Sequence, residues 1–410
     1  MQAKKNITDI PKDFFKGKKV LVRVDFNVPF KNGVISDNTR IKASLPTINY
    51  LLDSGAKIIL VSHLGRPKGV DESLSLAPVA LELARLIGNK AVEFVKDPFS
   101  PAGKAIIEAM PNSSLCLLEN IRFYPQEEKN DMEFANKLAS LADIFVNDAF
   151  GTSHRAHAST AGVTQKLKYA FAGHLVAKEL LALDSCLKNP IRPFAVIIGG
   201  SKVSTKISLL DNLVDKVDVL VIGGAMAFTF LKAQGHNVGK SLVENDYLEY
   251  CKKLLDNAKT KQVKIVLPSD VMVASDIKQG SQAKCVSVKA IDDNMMGLDV
   301  GADTIKEVQN TLSQCKTIFW NGPLGVFEEP GLEKGTYAII DSLVELTKKG
   351  VKTIVGGGDS VAALKAKNID FALLTHVATG GGATLEYLEG KKLPGIECLN
   401  DSQSATPSLV

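Results

Sequence analysis

No stretch of this 410-residue chain is apolar for long enough to cross a bilayer. The longest candidate, "VLVIGGAMAFTFL" (219–231), is broken by glycine and falls short of the roughly 20 residues that a spanning helix needs. Cysteine is sparse and scattered, six in all at 116, 186, 251, 285, 315 and 398. None forms a CxxC pair or sits at zinc spacing, so the thiols read as small core residues of a protein in a reducing compartment. The N-terminus, "MQAKKNITDIPKDFFKGKK", has no apolar core of a secretory signal, which points to the cytoplasm. Charge of one sign is also lacking: the formal net charge is +4 and no stretch is densely basic. That argues against nucleic acid and against a membrane surface as partners. Three nucleotide signatures are missing as well. There is no G-x-x-x-x-G-K-[ST], no strand–GxGxxG–helix with a downstream acid, and no HRD/DFG set. P-loop enzymes, dinucleotide dehydrogenases and protein kinases are thereby disfavoured.

What is present is α/β alternation, twice over. A chain of this length exceeds one ordinary core, and 45% hydrophobic with 23% charged residues suits a well-packed protein. In the first half, short Val/Ile/Leu-rich runs read as strands at 19–28, 56–63, 91–95, 114–120 and 142–150. Helical patterns lie between them, as at 76–88 and 131–142. In the second half the strand candidates are 194–200, 217–224, 263–270, 316–323, 351–359 and 373–378. Such runs are typical of parallel strands covered on both faces. The fold predicted is two doubly wound, Rossmann-like parallel-sheet domains joined by a long helix. Apolar residues at Leu167, Phe171, Leu175, Leu180, Leu183 and Leu187 suggest that helix between 164 and 193, ended by Asn189-Pro190. The expected division is 1–170, a connecting helix 171–189, and 190–390, with 391–410 returning to the first domain. The polar tail 400–410 reads as frayed.

The strand "VRVDFNVP" (22–29) alternates Val22, Val24, Phe26 and Val28 with Arg23, Asp25 and Asn27. A solvated face would explain one such strand. Its neighbours favour a polar site, because ligands of doubly wound sheets bind beyond the carboxyl ends of the strands. "SDNTRIKA" brings Arg40, "SHLGRPKG" brings His63 and Arg66, "LENIRFYPQEEKND" brings Arg122, and "NDAFGTSHRAHAST" brings His154, Arg155 and His157. Guanidinium groups recognise phosphate and carboxylate bidentately, so this rim suits a small polyanion. The second half offers glycine turns instead: "GGSKVSTK" (199–206), "IGGAMAF" (222–228), "NGPLGVFE" (321–328), "GGGDSVAAL" (356–364) and "TGGGATLEYL" (379–388). Glycines let backbone amides approach phosphate at helix starts. Lys202 and Lys206 are expected on the first turns of one helix. Asp359, at another, could hold Mg²⁺ beside phosphates or simply cap the helix.

These blocks, together with "MAFTF", "FWNGPLGVFE" and "HVATGGGA", resemble phosphoglycerate kinase in order along residues 5 to 399. The resemblance implies a monomer. It implies an N-terminal domain for 3-phosphoglycerate or 1,3-bisphosphoglycerate and a C-terminal domain for Mg²⁺ with ADP or ATP. By motif match, Asp25, Asn27, Arg40, His63, Arg66, Arg122 and Arg155 fall on triose-binding positions, with Arg23 beside them. Lys202, Lys206, Gly223, Gly224, Gly297, Glu328, Gly357, Gly358, Asp359 and Ser360 fall on the nucleotide side, and Asp359 on the metal position. Ala302, His174 and Thr384 depart from the usual Pro, aromatic and Ser.

The implied reaction is reversible transfer of the acyl phosphate of 1,3-bisphosphoglycerate to ADP in glycolysis. Both nucleophiles are ionised at neutral pH, so no general base is needed and charge neutralisation is the catalytic task. Arg40 and Lys202 are the expected catalytic pair on the moving phosphoryl group, and Glu328 the partner of the ribose. In-line transfer needs the reacting atoms within about 3–3.5 Å, so sites on two domains are expected to close on each other. A non-catalytic anion- or nucleotide-binding protein of the same fold is the alternative.

Overall fold

The computed structural model describes residues 3–403. Contacts divide the chain into two compact units, Met1–Leu180 with Lys392–Val410, and Leu181–Lys391.

The first unit is built on six parallel strands. Across the sheet they run Glu93–Val95, Ser114–Leu118, Lys57–Val61, Lys19–Val24, Ile144–Asp148 and Tyr169–Ala172. Val20, Val22 and Val24 enter the core on one face, against Ile41, Ile48 and Leu51 of the helix Thr39–Asp53. Those helix positions recur at three- and seven-residue steps and so share a face. Each such fully buried aliphatic side chain contributes about 1.5–3 kcal/mol relative to exposure. The strand Lys19–Val24 is buried on both faces from Val20 onward. The strand stops at Val24, and Asp25 and Asn27 lie in the loop beyond it, although Phe26 and Val28 still enter the same core as Val22 and Val24. The last described segment is tied to this unit. Asn147 donates to the Gly395 carbonyl at 2.7 Å, the Asn400 N–H to Ala170 at 2.8 Å, and Lys4 pairs with Asp401 at 2.8 Å. Asn400 and Asp401 are thus not frayed, and residues 404–410 lie outside the described part.

The second unit also has six parallel strands, in the spatial order Lys264–Val266, Val219–Ile222, Phe194–Ile198, Thr317–Asn321, Lys352–Gly356 and His376–Val377. Counted along the chain that is 3-2-1-4-5-6, with the reversal between Phe194–Ile198 and Thr317–Asn321. The run 373–378 is mostly not strand, since Phe371–Leu373 forms a 3-10 turn. A three-stranded antiparallel sheet, Lys284–Ser287, Asp270–Ala274 and Met296–Val300, was not anticipated. Four cysteines, at 116, 186, 251 and 315, are buried, whereas Cys285 is exposed and Cys398 half-buried.

The connecting segment differs from expectation. Tyr169–Ala172 is an edge strand paired with Ile144–Asn147, and the helix runs only over His174–Leu187. Leu167 and Phe171 are therefore not helical. Phe171 instead buries itself in the first unit's core. Asp148 accepts from the Leu175 N–H at 2.9 Å and Thr47 Oγ1 from that of His174 at 2.8 Å, which satisfies donors at the helix start. The division between the units falls inside this helix, after Leu180.

Candidate functional site

Each sheet carries its chemistry just past the carboxyl ends of the strands where strand order reverses. In the first unit that point lies between Lys19–Val24 and Ile144–Asp148. Asp25 and Asn27 follow the first of these strands. The Asp25 carboxylate accepts from Arg40 Nη1 at 2.6 Å, and Asn27 Oδ1 accepts from the Gly65 N–H at 2.9 Å. Arg40 stands in the first turn of its helix with its side chain 45% exposed. Arg122, side chain 9% exposed, donates to the Gly65 carbonyl at 2.7 Å and meets Glu128 at 3.3 Å. Arg66 and Arg155 are exposed, and among the described residues neither has a carboxylate partner.

The groups converge electrostatically. Burial, then the charges of Arg23, Arg122 and Arg40, hold the His63 imidazole well below the ordinary histidine range. Burial with Arg122 and Arg23 lowers His157 to about 4. Arg122 in turn feels both Arg155 and Arg66. Two neutral histidines among arginines mark a place where positive charge is already crowded and an anion is wanted.

Arg23 departs from the role of a wall. It is 1% exposed, on the strand face opposite Val22 and Val24, and its donors go to Ser159, the Val24 carbonyl and His63. A side chain so enclosed touches no solvent-borne ligand. Its buried neighbours Glu127 and Ser159 were missed, because nothing in "QEEKND" or "HAST" distinguishes a buried carboxylate or hydroxyl from a surface one.

In the second unit a cavity of about 500 Å³ opens at the reversal point. Gly200, Gly224, Gly297, Pro323, Glu328 and Asp359 line it, together with Phe228, Met296, Leu298 and Val326. The small antiparallel sheet contributes Val271, Met296, Leu298 and Val300 to the apolar wall. "MGLDV" alternates at period two, whereas "DVMVA" is apolar throughout after Asp270 and carries no such signal. Two glycines have steric reasons. A Cβ on Gly297 would overlap the Phe228 ring, and Gly224 has φ +66 with Gly200 packed against it. Gly223 backs the cavity, since a side chain there would strike Leu324. Asp299 lines it too. Burial raises that carboxyl to about 7, while Oδ2 accepts from the Gly335 N–H at 2.8 Å and Oδ1 has no hydrogen-bond partner among the described residues.

The lysines precede their helix rather than opening it. The helix starts at Ile207, Lys202 is exposed in the turn before it, and Lys206 is the N-cap residue. Lys206 Nζ donates to Asn321 Oδ1 at 2.5 Å. Burial lowers its pKa, opposed by Asp359 and Glu389. Gly357 precedes the helix Gly358–Ala366, whose first turn presents Asp359 exposed, so Asp359 is not the cap. Ser360 is buried, and its Oγ accepts from the Gly322 N–H at 2.6 Å. Its oxygen braces the turn from inside. Among the described residues no group of three or more His, Cys, Asp or Glu is arranged to hold a metal by itself.

A family model described as phosphoglycerate kinase matches residues 7–391. The chain belongs to that family. It is 54% identical to the phosphoglycerate kinase of Thermosynechococcus vestitus, over 98% of this chain and all of that one. It is 52% identical to the cytosolic enzyme of Triticum aestivum, again over 98% and 100%. The structure of phosphoglycerate kinase from Coxiella burnetii superposes with a TM-score of 0.89 at 42% identity, over 96% of this chain and 98% of that one. Family membership bears out the resemblance and the two parallel-sheet architecture. A single long connecting helix spanning 171–189 is not part of what is borne out.

Proposed function

We propose that the arginine rim of the first unit binds the triose phosphate and that the glycine-lined cavity of the second binds ADP or ATP. The activity itself follows from the family: the chain is a phosphotransferase with a carboxyl group as acceptor, moving the acyl phosphate of 1,3-bisphosphoglycerate to ADP and back. The observation that carries the residue assignment is a contrast. Arg40, Arg122 and Arg155 act on two neutral histidines, with Arg66 beside Arg122, while the second unit pairs an apolar cavity with Lys206 and Asp359.

In this reading His63, Arg66, Arg122 and Arg155 hold the non-reacting phosphate and the triose, with Asp25 orienting Arg40. Arg40 and Lys202, both exposed, neutralise the oxygens of the phosphoryl group in transit. Preorganised donors of this kind are worth about 3–4 kcal/mol each in the transition state. Glu328 takes the ribose hydroxyls, and the amides at Gly357–Gly358 and Gly380–Gly382 face the phosphates. Asp359 suits Mg²⁺ bound with the nucleotide: a single exposed carboxylate beside phosphates is what Mg²⁺ accepts, because it keeps its own waters. When bound, the ion would screen charge on the nucleotide oxygens. The protein's own part is to orient both anions and exclude water around them. The chain acts as a monomer in the cytoplasm. No helix of the described residues is long and apolar enough to cross a membrane.

Formation of 1,3-bisphosphoglycerate from ATP and 3-phosphoglycerate, measured by a coupled assay, tests this. Binding of both ligands without turnover would favour a non-catalytic binding protein instead.

A further inference from the structure

A polar chain in the first unit begins at a carboxylate almost without access to solvent. Glu127 Oε1 accepts from Ser159 Oγ at 2.5 Å and Oε2 from the Ser159 N–H at 2.9 Å. Ser159 Oγ accepts from Arg23 Nε at 2.9 Å. Arg23 Nη2 then meets His63 Nδ1 at 3.2 Å, while Nη1 donates to the Val24 carbonyl. A guanidinium has donors and no acceptor, so every Arg23 link runs outward from it, and the Ser159 proton goes to the Glu127 carboxylate. His63 Nδ1 must accept. Nε2 makes no hydrogen bond among the described residues, yet it is not among their buried unpartnered atoms, so it reaches solvent. Arg40, Arg122 and His157 are the other groups acting on the ring, and all disfavour its charged form.

We propose that Glu127, Ser159 and Arg23 are positioning residues that lock neutral His63 in the tautomer with its proton on Nε2, giving the triose anion an N–H donor in place of a lone pair. The alternative tautomer would set Nδ1–H against Nη2–H and turn a lone pair toward an anion. An imidazolium would meet the same Nδ1 clash. Glu127 balances the buried Arg23 charge, and Ser159 transmits its orientation to Nε. An uncompensated buried guanidinium would otherwise be driven toward water. The consequence for binding rests on the triose-site reading above; the tautomer does not.

The direct test is a long-range ¹H–¹⁵N spectrum of the ligand-free protein labelled at histidine, with His63 assigned by its disappearance in His63→Gln. At about pH 7 it should show Nε2 protonated and Nδ1 bare. A proton on Nδ1, or a charged ring, would overturn the proposal. Ser159→Ala should mix the tautomers and raise KM for 3-phosphoglycerate about tenfold while KM for Mg-ATP holds, as for loss of one well-oriented donor. Ser159→Thr, which keeps the hydroxyl, should restore both. A variant that merely melts earlier, with tautomer and KM unchanged, would reduce the cluster to a structural role and overturn the proposal. If Ser159→Ala does not fold, the parent spectrum decides. Calorimetry on the parent separates the two levels: no heat with 3-phosphoglycerate would sink the triose reading and leave the tautomer result standing.

Discussion

The two units solve anion recognition with opposite materials. The first spends side-chain charge: four arginines gather at a strand-end rim, and burial together with their charge disfavours the protonated form of its histidines. The second spends backbone: glycines bring amides and apolar walls close, and the charged groups are few. On the ligand assignment proposed above, the difference follows from ligand shape. A small triose with a phosphate and a carboxylate offers little apolar surface, so Coulomb and bidentate hydrogen bonds must carry the affinity. A nucleoside offers a large flat face that a 500 Å³ cavity can bury, so glycine and Phe228 matter as much as charge. Substitutions should therefore injure the two sites in different ways.

The largest effects should come where each unit reaches the moving phosphoryl group. Lys202→Ala and Arg40→Ala should each lower kcat by about 10²–10³ while the ligand of the same unit still binds. Steady-state kinetics with calorimetry checks this. A Lys202→Ala enzyme that loses ADP affinity but little turnover would mean that Lys202 and Lys206 have exchanged roles. Arg122→Ala should weaken 3-phosphoglycerate binding by about 1.5–3 kcal/mol, the worth of a charged hydrogen bond, and leave ADP binding intact. Equal losses for both ligands would break the division of labour between the units. Gly297→Ala should do the reverse, because the new methyl group must displace the Phe228 ring. Overpacking of that kind costs about 1–3 kcal/mol, visible as weaker ADP binding and a lower Tm with triose binding unchanged.

The smallest effect concerns pH. His157 has a folded pKa of about 4 against an ordinary 6.5. Between those values the unfolded chain binds a proton that the folded one refuses, so this residue contributes a loss of stability as pH falls from about 6.5 toward 4. His157→Gln removes that term. The variant should lose less Tm than the parent between about pH 7 and pH 5. Asp148 and Asp299, both raised to about 7 by burial, push stability the other way over part of this range. The comparison must therefore be parent against variant, not the absolute slope. A steeper decline in the variant would contradict the neutral His157.

Local chemistry made much of this legible in advance. Val-, Ile- and Leu-rich runs separated by helical periods define parallel strands because both sheet faces are covered. Arginines just past strand ends converge because the strands are parallel and their carboxyl ends share one rim. In the antiparallel sheet behind Gly297 only 296–300 alternates; 270–274 does not. Other features had no local signal. Tyr169–Ala172 has apolar spacing compatible with a helix, and pairing with Ile144–Asn147 makes it a strand. Arg23 looks in sequence like Arg40, yet one is sealed on a doubly covered strand and the other stands at an exposed helix start. Residue type determined which groups could meet an anion, since charge and hydrogen-bonding capacity belong to the side chain. Burial decided which of them do, and which, like Glu127, Ser159 and Arg23, act only on one another, because desolvation and partner geometry exist only once distant segments are packed together.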